Sequence, residues 1–185
     1  MSALMQLIAA DIKANRACVG VGAAGLETGR GQRLQYLFSV RGLSTLLVRA
    51  AQAGYSAGGL WRLVALGIKQ LNHVITGVDV SPDVTIGPGL RIFHTSGVVI
   101  GPGVRIGSNC TIQSDVVVGG TGGPIRGANG APTIGHDVHL GTGSKIIGDL
   151  TIADGVTIGA NAVVLESIVE PLVLAAGIPA RVIAR

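Results

Sequence analysis

The sequence predicts a mainly β fold, a parallel β-helix of short strands, preceded by an α-helical region. Aliphatic residues recur every six positions from residue 78 onward, and the 185-residue chain is 48% hydrophobic with only 3% aromatic residues and 30 glycines. Narrow coils filled by Val, Ile and Leu fit this composition, because so thin a prism has no room for aromatic side chains. We therefore divide the chain into an N-terminal helical region, residues 1–75, and a β-helix domain, residues 76–185, which ends in a C-terminal tail.

The repeat is a six-residue unit with two inward positions. The second position is aliphatic at Val80, Ile86, Ile92, Ile100, Ile106, Ile112, Val118, Ile134, Leu140, Ile146, Ile152, Ile158 and Val164. A small or apolar residue precedes it by two positions, and glycine often follows, as in "TIGPG" and "VIGPG". About three such units make one coil, and stacked coils pair each strand with the next at ~4.8 Å. The alternative, an antiparallel sandwich, requires hairpin turns and variable spacing.

The repeat breaks in two places. Between Ile92 and Ile100 the spacing is eight, so two extra residues bulge outward around "FHTS". Between Val118 and Ile134 it is sixteen, so ten extra residues leave the coil in a glycine-rich loop, residues 119–133. Because repeat proteins carry their chemistry at insertions, both breaks are expected near the functional site.

The N-terminal region is basic, with eight Lys and Arg against two Asp and Glu in residues 1–75. Helices are predicted at residues 2–16, 32–53 and 58–75, and "GVGAAG" at 20–25 is interpreted as a linker because no strand–helix–strand unit surrounds it. The helices could lie on an anionic membrane surface. Packing on each other and on a partner subunit is the interpretation that we prefer.

The location predicted from the sequence is the cytoplasm, with the inner face of the membrane left open. Cys18 and Cys110 form no disulfide framework. The longest charge-free stretch of the helical half, Ala50 to Trp61, is too short to span a bilayer, and the first residues lack the features of a signal peptide.

Several segments resemble the hexapeptide-repeat acyltransferases. They are "VDVSPDVTIGPGLRIFHTSGVVIG", "VVVGGTGG", "LGTGSKIIGDLTIADGVTIGANAVVL" and "AGIPARV", and within that family they are similar to serine acetyltransferases and to the acetyltransferases of colanic-acid and other exopolysaccharide clusters. "ADIKANR" resembles the exopolysaccharide branch. The resemblance covers about residues 76–183 and implies an acetyl-CoA-dependent O-acetyltransferase with a left-handed coil, an exception to the usual handedness rule.

The resemblance assigns a catalytic dyad to Asp79 and His94. Their separation of fifteen residues, just under one coil, agrees with neighbouring positions at one edge of the prism. His94 is then the general base that deprotonates the acceptor hydroxyl, and Asp79 orients its imidazole.

The resemblance also implies acetyl-CoA as co-substrate, bound in a groove between two prisms. Its expected contacts are Gly120, Thr121, Thr142 and Ala160, with Lys145 and Arg181 as candidate donors to the nucleotide phosphates. No metal is expected: His136 and His139 are predicted to be surface residues, and His73 a structural residue of a helix. A groove between subunits implies a homotrimer, with pairing of two trimers left open, and no nucleic-acid partner is expected.

The sequence departs from serine acetyltransferases on the acceptor side. Phe93 replaces the aspartate before the catalytic histidine, Ala131 replaces a loop histidine, and the helical region has no Asp-Pro. Because these groups would hold a small zwitterion, we predict a saccharide hydroxyl on an exopolysaccharide precursor as acceptor, with Phe93 stacking on the sugar ring. Serine O-acetyltransferase of cysteine biosynthesis is the alternative, and a third is an inactive β-helix scaffold, against which Asp79 and His94 argue.

Overall fold

A computed structural model of the chain describes residues 2–19, 36–122 and 130–183. It places helix α1 at Ala3–Val19, α2 at Val40–Ala57 and α3 at Leu60–Thr76. The helices expected at 2–16 and 58–75 are confirmed within a few residues. The helix expected at 32–53 ends later, at Ala57, and residues 36–37 are helical before a turn that precedes α2; the expected start at 32 lies outside the described residues. The predicted linker at 20–25 lies outside the described residues.

The strands are short and follow the helices without interruption by another helix in the described chain. Their bounds are β1 Val78–Val80, β2 Thr85–Ile86, β3 Arg91–Ile92, β4 Val98–Ile100, β5 Arg105–Ile106, β6 Thr111–Ile112, β7 Val117–Gly119, β8 Thr133–Ile134, β9 His139–Leu140, β10 Lys145–Ile147, β11 Thr151–Ile152, β12 Thr157–Ile158, β13 Val163–Val164, β14 Leu174–Gly177 and β15 Ala180–Ile183.

These strands form three parallel sheets, which are the faces of a β-solenoid. Sheet A has the order β1-β4-β7-β10-β13, sheet B has β2-β5-β8-β11, and sheet C runs β3-β6-β9-β12-β14, with β15 added antiparallel at its end. The register confirms the predicted coil: Val99 pairs with Val117 and Lys145 with Val163, while Val78 pairs with Val98 across the bulge. The predicted fold class, a parallel solenoid with a helical region before it, is therefore confirmed. The hand of the coil and the domain boundary at residue 75 stay predictions.

The core of the solenoid consists of the two inward positions of the repeat. All thirteen aliphatic positions predicted from the six-residue period are buried, including Ile112, Leu140, Ile146 and Ile152 at 0–1% exposure. The residues two positions before them are buried as well, including the polar Ser144. Each coil buries one such layer. Burial stabilises the stack by roughly 25 cal/mol for each Å² of apolar surface removed from water.

Helices α2 and α3 form a tight antiparallel pair. Ser39 caps α2, since its side chain accepts a hydrogen bond from the Gly42 amide at 3.1 Å. A Cβ added at Gly54 would lie 3.3 Å from the Ala65 Cβ, so these two small residues set how closely the helices approach. Ala65 is fully buried as a result.

A buried ion pair joins α1 and α2 to the first coil of the solenoid. Arg49 binds Asp11 through Nε at 2.8 Å and Nη2 at 3.0 Å, and both side chains are 1% exposed. Asp11 also accepts the amides of Gly89 and Leu90, while Arg49 donates to the carbonyl of Ile86. The helical region therefore covers the first corner of the solenoid through a buried ion pair whose two side chains also bond to the backbone of the coil.

Helix α3 keeps an apolar face in contact with solvent in the single chain. Leu60, Trp61, Leu63 and Val74 are 75%, 61%, 65% and 72% exposed. Within the described chain, no helix is long and apolar enough to cross a membrane. Of the cations counted in this region, Arg49 is buried, and Arg62 is exposed and lies over the Tyr55 ring.

Candidate active site

The bulge predicted between β3 and β4 forms a lateral corner, residues 93–97, that we call the His94 corner. The Phe93 amide still donates to the Ile112 carbonyl at 2.8 Å, and Ser96 accepts the Asp115 amide at 2.8 Å, so both ends stay attached to the next coil. Between them His94 takes a left-handed backbone conformation, with φ 58°, and its side chain is exposed. This conformation costs a non-glycine residue about 1 kcal/mol. Other turns of the solenoid, such as those at Asn109 and Asn161, adopt it too, so the outward insertion and not the φ angle distinguishes His94.

Asp79 projects outward from β1 beside the same corner. Its register partner is Val99, and the preceding Gly77 packs against the bulge: a Cβ there would lie 3.3 Å from the Ser96 Cα. The structure thus brings together the two segments that carry the predicted dyad. Among the described residues there is no hydrogen bond between the His94 imidazole and the Asp79 carboxylate, so the dyad itself stays a prediction.

The Asp79 carboxylate instead pairs with a lysine that the sequence analysis did not identify. Lys69 Nζ lies 2.6 Å from Asp79 Oδ1, with the two side chains 26% and 30% exposed. Lys69 shares a helix face with Asn72 and Thr76, which are buried where α3 meets the solenoid. That spacing was a signal that could have placed Lys69 toward β1.

Phe93 has an unexpected neighbour as well. The Arg41 guanidinium, from the first turn of α2, lies over the Phe93 ring at 5.0 Å from its centre. Such a contact is a cation–π interaction, worth about 0.5–1 kcal/mol at exposed sites. The ring face that was predicted to stack on a sugar is therefore covered by a cation.

Thr142 and Ala160 lie in line with His94 along one edge of the solenoid. Sheet C pairs Ile92 with Ile112, Ile112 with Leu140 and Leu140 with Ile158, so the turns after these strands stack along one edge. The amides of Asp115 and Asn161 donate to the carbonyls of Ser96 and Thr142, so Ser96 is the first-coil counterpart of Thr142, and His94 is an inserted residue just before it. Two and three coils separate them from His94, or about 10 and 14 Å at the strand spacing. An extended chain bound along this edge would contact all of them.

Gly120 and Thr121 lie at the other edge of sheet A, at the foot of the protruding loop. There they line a cleft of about 570 Å³ together with Val99, Pro102, Val117, Gly130, Ala131, Ile147 and several glycines. None of the described residues that line this cleft carries a charge. The predicted acetyl-CoA contacts therefore fall in two groups, at opposite edges of one face.

Lys145 and Arg181 do not lie in the cleft. Lys145 projects from sheet A and its ammonium donates to the carbonyls of Gly143, at 3.0 Å, and Asp115. Arg181, on β15, forms an exposed ion pair with Glu166 at 3.5 Å. Both cations already have partners, and their role toward a nucleotide stays a prediction.

The three histidines outside the His94 corner form no cluster in the described structure. His136 is exposed and its Nδ1 accepts the Ser108 amide at 2.9 Å, and His73 is exposed on α3. His139 is half-buried rather than a surface residue, and its Nε2 lies 3.1 Å from Gln113 Nε2. Within the described ranges no three His, Cys, Asp or Glu side chains form a group that could hold a metal ion.

The chain is similar to known proteins in sequence. A family model described as bacterial transferase hexapeptide (six repeats) matches residues 131–166. Serine acetyltransferase of Mycobacterium tuberculosis is 38% identical over 122 residues, which cover 66% of this chain and 52% of that protein. The chain thus spans about half the length of this curated relative.

Solved structures extend the match over almost the whole chain. Soybean serine acetyltransferase, as apoenzyme, matches with a TM-score of 0.82 at 30% identity, over 97% of this chain and 69% of that one. Serine acetyltransferase of Brucella abortus in complex with coenzyme A matches with a TM-score of 0.82 at 26% identity, over 97% and 67%.

These relatives overturn the saccharide acceptor predicted from the sequence. The named proteins are serine acetyltransferases, which favours the alternative over an acetyltransferase of saccharides. Missing side chains at three positions did not indicate another acceptor, because Lys69 and Arg41 reach the same corner from the helices. The assignment to the exopolysaccharide branch is likewise not supported.

The matched repeat and the solenoid indicate the same family as the soybean relative. This chain covers more than two thirds of that relative. The chain belongs to the hexapeptide-repeat acyltransferase family.

Proposed function

We propose that this protein is a serine O-acetyltransferase, which transfers the acetyl group of acetyl-CoA to the hydroxyl of L-serine. The observation that carries the proposal is the His94 corner: an exposed histidine in a strained outward turn, beside Asp79, in a chain whose relatives are named serine acetyltransferases.

The reaction needs a base for the acceptor and an acid for the leaving group, and one imidazole supplies both. His94 takes the proton from the serine hydroxyl as its oxygen attacks the carbonyl carbon of the thioester. The carbon–sulfur bond then breaks, and the imidazolium returns the proton to the departing thiolate. General-base catalysis of this kind contributes about 100- to 10,000-fold, and Asp79 supports it by orienting the ring and stabilising its charged form.

For the donor, we propose that acetyl-CoA extends along the edge marked by His94, Thr142 and Ala160. Coenzyme A is bound in the structure of the Brucella abortus relative, which supports the same donor here. The apolar cleft at the opposite edge, with Gly120 and Thr121, would complete the groove from a neighbouring copy. We accordingly propose a homotrimer, which the exposed apolar side chains of α3 also favour. We also propose a reducing, cytoplasmic location, because Cys18 and Cys110 form no disulfide framework.

The direct test measures release of the free thiol of coenzyme A when purified protein is mixed with acetyl-CoA and L-serine. We expect turnover with wild type and a loss of about 100-fold or more in kcat with His94→Ala. The matched control is His73→Ala, because His73 is exposed on α3 and has no role in the proposed site. Wild type that releases no thiol with serine, or His94→Ala that retains full activity, contradicts the proposal.

The assembly is tested separately by native mass spectrometry. Three copies per particle, or a multiple of three, are expected. A monomer at the concentration of the activity assay would contradict a groove shared between copies.

A further inference from the structure

Two cations from the helical region reach the His94 corner, although the described residues that line the cleft at the opposite edge of sheet A are uncharged. Lys69, from α3, binds Asp79, and Arg41, from α2, covers Phe93. The repeat itself supplies neither side chain, so the helices determine which charges surround the acceptor.

Lys69 is a cation with free hydrogen-bonding capacity beside the predicted dyad. Its ammonium carries three donors, and its one contact in the described structure is with Asp79 Oδ1. The Lys145 ammonium is already bonded to two carbonyls. The Arg41 guanidinium is stacked on Phe93 and keeps its N–H donors, but of these cations only Lys69 is paired with Asp79. Both Lys69 and Asp79 are partly exposed, so a small molecule at the His94 corner can reach them.

We propose that Lys69 binds the carboxylate of the acceptor amino acid, an inference that rests on the proposed serine acetyltransferase function. In serine only the β and α carbons separate the reacting oxygen from the carboxylate. A cation that recognises this carboxylate must therefore lie close to the base. Lys69 meets that condition through Asp79: one oxygen of Asp79 holds the lysine, and the other remains for the His94 imidazole. Lys69 thus bridges the acceptor to the carboxylate that orients the base.

The test compares an acceptor with and without the carboxylate charge. We would measure kcat and KM with L-serine and with L-serinamide for wild type, Lys69→Met, Lys69→Arg and the control Lys13→Met, whose residue is exposed on α1. Wild type and Lys13→Met are expected to prefer serine. Lys69→Met should raise KM for serine by about 10- to 100-fold, the value of a charged hydrogen bond, and leave KM for serinamide unchanged. Lys69→Arg should restore part of the preference.

Each outcome decides one point. If Lys69→Met keeps the wild-type ratio of kcat/KM for serine over serinamide, or loses activity equally with both, Lys69 does not bind the acceptor and the inference is overturned while the proposed function stands. If Arg41→Met abolishes the preference and Lys69→Met does not, the carboxylate binds at Arg41 and the inference is again overturned. If wild type does not acetylate serine, the proposed function fails, and this inference fails with it.

Discussion

Arg49→Met is the substitution whose effect follows most directly from the structure. Arg49 and Asp11 are each 1% exposed, and their bidentate ion pair is the main polar link between the helices and the first coil. Methionine fills a similar volume, but it leaves the Asp11 carboxylate buried with only the amides of Gly89 and Leu90 as partners. It also removes the donor to the Ile86 carbonyl.

Removal of one partner of a buried ion pair costs about 3–5 kcal/mol, so Arg49→Met should lower the free energy of unfolding by that amount. The assay is urea unfolding followed by circular dichroism, with all variants at one protein concentration because an oligomer gains apparent stability with concentration. The matched control is Arg62→Met, which removes an exposed contact with the Tyr55 ring and should cost about 1 kcal/mol or less.

A double variant tests whether the buried charge is the cause. In Asp11→Asn combined with Arg49→Met, the side-chain oxygen of asparagine can still accept both amides, but no charge remains in the interior. The double variant should therefore be more stable than Arg49→Met alone. If it is less stable, or if Arg49→Met unfolds within about 1 kcal/mol of wild type, the reasoning from the buried pair is refuted.

Two further predictions concern titratable groups of the solenoid. Burial raises the pKa of the Cys110 thiol to about 11, so iodoacetamide at about pH 8 should alkylate Cys110 only in unfolded protein; rapid alkylation of native protein, seen by mass spectrometry of the Cys110 peptide, would contradict this. Burial, with the nearby charge of Arg91, lowers the pKa of His139 from its usual 6.5, so its neutral form is favoured in the fold. The resulting stability should be fully present above pH 6.5 and decline as the pH falls below it, a decline weaker in His139→Gln; equal declines of the urea midpoint between about pH 7.5 and about pH 5 in both proteins would exclude the effect.

The solenoid could be predicted from the sequence because each repeat encodes its own geometry. An inward residue such as Ile146 pairs with its equivalents one coil above and below. The separation of these residues along the sequence therefore predicts which of them are neighbours in the fold. The two departures from the period were equally visible, and the register places them where the spacing indicated: twenty residues separate Val78 from Val98 in their pair, and twenty-eight separate Val117 from Lys145.

The contacts made by the helices could not be predicted in the same way. Asp11 and Arg49 are 38 residues apart, and Arg49 looked like one of many cations on a basic surface. Lys69 is near Asp79 in sequence, but its contact depends on the angle at which α3 meets β1, which the left-handed Gly77 at its C-terminus sets with φ 78°. No repeat connects these positions, so only the folded chain shows which charges meet.

The contacts that hold His94 and the charges that surround the acceptor come from different parts of the chain. The His94 corner is fixed by the coil beneath it: Asp115 donates to Ser96, and a Cβ at Gly97, whose φ is 69°, would collide with the Asp115 carboxylate. The backbone of the corner is therefore attached to the coil beneath it, whereas Lys69 and Arg41 reach the corner from α3 and α2. Substitutions at Lys69 or Arg41 can then change the charges that an acceptor meets while the backbone bonds from the corner to the next coil remain. In such an architecture the residues missing from the repeat are weak evidence about the acceptor, and the residues on the helices are strong evidence.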